Sequence, residues 1–62
     1  MFNLYDKVII KSKNIPGTII DIVKSKSGKT ITVESDIKGN RKDGYGGDFP
    51  IFDCKENDLE LI

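Results

Sequence analysis

The apolar residues of this chain arrive in short β-branched runs, the longest being Thr18-Ile19-Ile20-Asp21-Ile22-Val23, and each run is closed by charged residues or by turn formers such as Asn14, Pro16, Gly17 and Gly28. Segments this short do not complete the three turns of an average helix, whereas branched side chains suit the pleated surface of a strand. The chain is therefore expected to be all-β.

Five strands are expected. Lys7-Val8-Ile9-Ile10-Lys11 forms the first, and Asn14-Ile15-Pro16-Gly17 breaks it. Residues 18–23 form the second, in which Ile19 and Ile20 are adjacent and so cannot both point inward. Ser27-Gly28 is a hairpin turn, because glycine takes the positive φ that tight turns require. Thr30-Ile31-Thr32-Val33-Glu34 alternates cleanly, with Ile31 and Val33 inward. Residues 35–48 hold four glycines and six charged residues, the composition of a long mobile loop between strands three and four. Strand four covers residues 49–54, with Pro50 at its beginning or on an edge, since it has no N–H to donate. Residues 55–58 make one helical turn, and Leu59-Glu60-Leu61-Ile62 closes as strand five. Ile31, Val33, Phe52 and Leu61 are the expected core, and a closed barrel would remove the exposed edges.

At 62 residues the chain is expected to be a single domain over 1–62, with most of its apolar residues committed to folding and little room for an enclosed active site. The one cysteine, Cys54, allows no intrachain disulfide, which fits a reducing compartment. No apolar run approaches the ~20 residues that cross a bilayer, and the first residues lack the pattern of a secretory signal. A cytoplasmic location without membrane attachment is expected.

Ten basic and ten acidic residues cancel, yet they are polarised along the chain. Nine basic residues face three acids over residues 7–42, and six acids face Lys55 over residues 43–62.

The order of elements resembles the SH3-like barrels, and within them the KOW and Tudor-like type. The resemblance is carried by Tyr5-Asp6-Lys7-Val8-Ile9-Ile10, similar to an opening "GD-x-V" strand, and by Pro16-Gly17-Thr18-Ile19-Ile20-Asp21-Ile22, similar to a "G-x-V-x-x-I" element. Phe52-Asp53-Cys54 followed by Glu56-Asn57-Asp58-Leu59-Glu60-Leu61-Ile62 resembles the helical turn and closing strand that end many such barrels. Asp6 stands where the KOW pattern has its first glycine, and the first loop is short. The resemblance implies a small five-stranded SH3-like barrel acting as a binding module for RNA, DNA or peptide.

Enzymatic chemistry finds few parts. With no histidine and one cysteine, neither a zinc site nor a nucleophile paired with an imidazole is available. Asp43, Asp48 and Asp53 do not have the spacing of a calcium loop and read as solvated surface. Gly28-Lys29-Thr30 matches the end of a phosphate-binding loop, but Val23 occupies the position of its first glycine and a strand follows where a helix is needed. Cys54 alternates with Phe52 and is expected to fill core volume. No catalytic residue, metal or small-molecule cofactor is expected.

The cations offer more. Antiparallel pairing of strands one and two would send Lys7, Lys24, Lys26 and Lys29 to one end of the barrel and Lys11 and Lys13 to the other, beside the loop carrying Lys38, Arg41 and Lys42. In Gly44-Tyr45-Gly46-Gly47-Asp48-Phe49, Tyr45 is a candidate stacking ring while Phe49 is expected to cap the core. The expected function is nucleic-acid binding through Lys11, Lys13, Lys38, Arg41, Lys42 and Tyr45. The alternative is a protein-interaction or structural accessory module, for example of a phage or mobile element, using the acidic C-terminal third and the outward apolar residues of strand two.

Overall fold

Alternating runs of this kind bury one face each, and they do so by pairing edge to edge. The computed structural model describes residues 2–39 and 48–62. It contains β1 (Lys7–Ile10), β2 (Ile15–Ser25), β3 (Gly28–Ser35), β4 (Ile51–Lys55), a 3₁₀ turn (Glu56–Asp58) and β5 (Leu59–Leu61). The five strands form one antiparallel sheet in the order β4-β3-β2-β1-β5, with no α-helix among the described residues. β4 and β5 are its two edges, and among the described residues no ladder joins them. No helix among the described residues is long and apolar enough to cross a membrane.

The core lies on the inner face, where alternation brings Val8, Ile10, Ile19, Ile31, Val33, Phe52, Cys54 and Leu59 together, each at most 7% exposed. Phe2, Ile15 and Ile22 pack against its margin. Register explains the grouping: Ile31 lies opposite Ile22 and Cys54, and Val33 opposite Ile19 and Phe52.

β2 begins earlier than the Asn14-Ile15-Pro16-Gly17 breaker implies. Asn14, in the left-handed region at φ 56°, completes the reversal, with the Lys13 and Asn14 amides both donating to the Ile10 carbonyl. Ile15 is thus already paired with Ile10. Pro16 keeps a useful carbonyl, which accepts from the Asp36 amide at 2.9 Å. Gly17 is small for a packing reason: a Cβ there would stand 2.5 Å from Val33 Cγ1 and 2.7 Å from the Glu34 carbonyl oxygen.

The conflict between Ile19 and Ile20 is resolved by a bulge. The β2–β3 register shifts between Ile19 and Asp21, so Ile20 is accommodated as an extra residue and points outward while Ile19 is fully buried. Without that extra residue Ile22 could not share the inner face with Ile19. Gly28, at φ 126°, ends the β2–β3 turn as expected of a glycine there.

Two apolar placements differ from expectation. Leu61 is 50% exposed, and Leu59 takes the core position instead. Both share a face of β5, but Leu59 pairs with Ile10 in the middle of the core, whereas Leu61 lies at the end of an edge strand with no further strand to cover it. Phe49 is 41% exposed, because β4 starts only at Ile51 and it is Pro50 that is buried at the strand entry. Of the expected loop, Ser35 belongs to β3 and is buried; residues 40–47 lie outside the described residues.

Candidate nucleic-acid interface

The turn between β1 and β2 is hydrogen-bonded to the 3₁₀ turn. The Asp58 carboxylate accepts from the Ser12 amide at 3.0 Å and from Ser12 Oγ at 2.6 Å, and the Asp58 carbonyl accepts from the Lys11 amide at 2.8 Å. The 3₁₀ turn therefore holds residues 11 and 12, and Lys13 and Asn14 are tied back to Ile10. Lys13 places its ammonium 5.2 Å from the centre of the Phe52 ring, a cation–π distance. Lys11 is exposed and pairs with no carboxylate among the described residues.

Lys38 lies just beyond β3. Beyond β3 the chain stays paired with the entry to β4: the Ser35 amide donates to the Pro50 carbonyl and the Gly39 amide to the Asp48 carbonyl. Between this neck and β2 lies a groove of about 180 Å³ lined by Ile15, Ser35, Ile37, Lys38, Gly39 and Pro50. Ser35 Oγ donates to the Ile37 carbonyl at 2.7 Å and accepts from the Ile37 amide at 3.0 Å, so the one hydroxyl in the lining is already satisfied. The groove offers apolar surface with Lys38 beside it and Lys13 two residues before its wall residue Ile15.

Of the expected cations, the structure places Lys38 in the groove lining, while Lys11 and Lys13 lie on the turn that precedes the wall residue Ile15, with the Lys13 ammonium over the Phe52 ring. Arg41, Lys42 and Tyr45 lie outside the described residues. The groove itself was not anticipated; its signals were Ile37, an isolated apolar residue in a polar stretch, and Ile15 beside Pro16.

The expected partner cluster at the opposite end is only partly formed. Lys7 pairs across from Thr18, whereas Lys24 pairs across from Lys29, six residues further along β2, or roughly 20 Å at strand rise. Lys7 instead reaches Thr18 Oγ1 at 2.7 Å and the Asp36 carboxylate at 3.1 Å. Lys7 lies away from the far end of β2 because β1 spans only the first part of that long strand.

Several acids are engaged internally: Glu56 faces Lys29 at 3.5 Å, Asp53 accepts from Thr32 at 3.0 Å, and Asp58 holds Ser12. Cys54 is buried in the core, and burial pushes its thiol above the ordinary value of 9.0, with the Asp58 and Asp53 carboxylates adding to the effect and Lys13 opposing it. Such a thiol is held in its unreactive protonated form. Lys29 and Thr30 sit within β3, so the helix that a phosphate-binding loop would open onto is absent there. Among the described residues no group of three His, Cys, Asp or Glu side chains could hold a metal ion.

Fold and groove together define a small all-β domain with a cation-flanked apolar groove at one end. In comparisons with known proteins, the chain matches no family model, no curated protein and no solved structure.

Proposed function

We propose that this chain is a non-enzymatic binding module, built as a small SH3-like barrel, that binds nucleic acid through the end carrying Lys11, Lys13, Lys38, Arg41, Lys42 and Tyr45. The barrel reading is supported by the antiparallel order β4-β3-β2-β1-β5 and by the 3₁₀ turn directly before β5. The observation that carries the binding reading is an apolar groove lined by Lys38 and by Ile15, the first residue after the turn that bears Lys11 and Lys13. Phosphates are met there by the cations, and bases by apolar and aromatic surface. Tyr45→Ala is expected to cost about 1 to 3 kcal/mol with single strands and much less with duplex, whose bases are already stacked. Fluorescence titrations with matched single-stranded and duplex probes check this.

A protein partner is the second reading, and one observation favours it: Ile20 and Val23 of β2 are 36% and 49% exposed. The internal engagement of Glu56 and Asp58 weighs against a free acidic contact surface. Capture from native lysate with and without nuclease separates the two. Partners lost after nuclease support nucleic acid, and partners that survive it support a protein.

A further inference from the structure

We infer that the β2–β3 hairpin tip is a second contact for nucleic-acid phosphates, at the end of the molecule opposite the groove. This rests on the nucleic-acid reading for its ligand class but on a different set of residues. The tip reads Lys24-Ser25-Lys26-Ser27-Gly28-Lys29. Register places Lys24 directly opposite Lys29, and like charges in that relation repel. Lys55 of β4 pairs with Thr30 and so lies on the face opposite that of Lys24 and Lys29, outside this set.

Among the described residues, Glu56 is the one acid paired with Lys24, Lys26 or Lys29, and it faces Lys29 at 3.5 Å. Lys24 and Lys26 are exposed and have no ion pair among the described residues. The turn that presents them is braced by its serines: Ser25 Oγ lies 3.1 Å from Ser27 Oγ and donates to the Gly28 carbonyl at 3.0 Å. A closely spaced, mutually repelling set of cations on a braced turn lowers its own repulsion when a polyanion neutralises it, releasing counterions from that polyanion.

The two basic ends are well separated. From Ile15 to Lys24 is nine residues of β2, roughly 30 Å at strand rise, and the longest dimension of the molecule is 31 Å. One molecule therefore contacts either two segments of a strand or two strands, and each end contributes its own increment to the salt dependence.

The test is a salt titration of the full chain against a labelled single strand, comparing wild type with Lys24→Gln/Lys26→Gln at the tip, Lys11→Gln/Lys38→Gln at the groove end, and Lys7→Gln as a charge control between them. None of the four tip and groove-end side chains makes a hydrogen bond or ion pair among the described residues, and thermal melts verify that the fold is kept. The tip pair is expected to flatten the slope of log K against log salt by about 1.4, two single-strand phosphate contacts at about 0.7 each. An unchanged slope for the tip pair, with a flattened one for the groove-end pair, overturns the tip site and leaves the groove-end reading standing. A flattened slope for the tip pair alone supports the tip and removes the groove end. Equal flattening by Lys7→Gln, charge for charge, shows that net charge alone is responsible and overturns the tip as a site. Absence of saturable binding by wild type overturns both.

Discussion

Val33 and Leu61 are both strand residues that alternation assigns to the inner face, and they differ in what covers them. Val33 is fully buried between Ile19 and Phe52, while Leu61 is 50% exposed at the end of an edge strand. Val33→Asp is expected to unfold the domain, since an unpaired buried carboxylate costs several kcal/mol against a total stability of about 5. Leu61→Ala should cost less than about 1 kcal/mol, and thermal melts of the pair check the contrast. Gly17→Ala meets Val33 Cγ1 and the Glu34 carbonyl, so it should destabilise by about 1 to 3 kcal/mol in denaturant titrations. Cys54 adds a pH signature. Its folded thiol holds a proton that the unfolded thiol releases at its ordinary value of 9.0, so stability is lost as pH rises from there towards the higher folded value. Stability profiles of wild type and Cys54→Ala, measured between neutral and alkaline pH, should diverge only above that point.

At the scale of elements, strict alternation was legible and irregularity was not. The inward placement of Ile31 and Val33, the turn at Gly28 and the 3₁₀ turn before β5 all follow from local residue chemistry. The adjacency of Ile19 and Ile20 signalled a conflict, but only the sheet shows that a bulge resolves it. The early start of β2 depends on Asn14 taking a left-handed conformation, which the sequence permits without requiring. Pro50 stands at the entry to the edge strand β4 as expected, but Phe49 does not cap the core, because β4 begins only at Ile51. The clamp of Ser12 by Asp58 joins residues 46 apart and leaves no local trace. Asp58→Ala should therefore loosen the turn at Ser12 and cost about 1 kcal/mol of stability. Amide hydrogen exchange at Ser12 should rise in that variant, while Lys11, whose amide donates to the backbone carbonyl of residue 58, and the amides of β3 stay protected.

For the whole molecule, zero net charge conceals a distribution. The linear polarity of charge was readable, and pairing of β1 with the first part of β2 then sorts the cations into a groove end and a hairpin tip, with Lys7 between them. What the sequence lacked was the length of β2, which separates the ends, and the apolar groove lined by Lys38 at one of them. The central claim, that the groove end binds nucleic acid by charge first and stacking second, is tested most directly by titrating wild type and Arg41→Ala/Lys42→Ala with labelled single-stranded RNA across a range of salt. Saturable wild-type binding at low salt is expected, weakening as salt rises, with the slope reduced by about two phosphate contacts in the double variant. No saturable wild-type binding at tens of micromolar protein in low salt, where phosphate contacts are strongest, would contradict it.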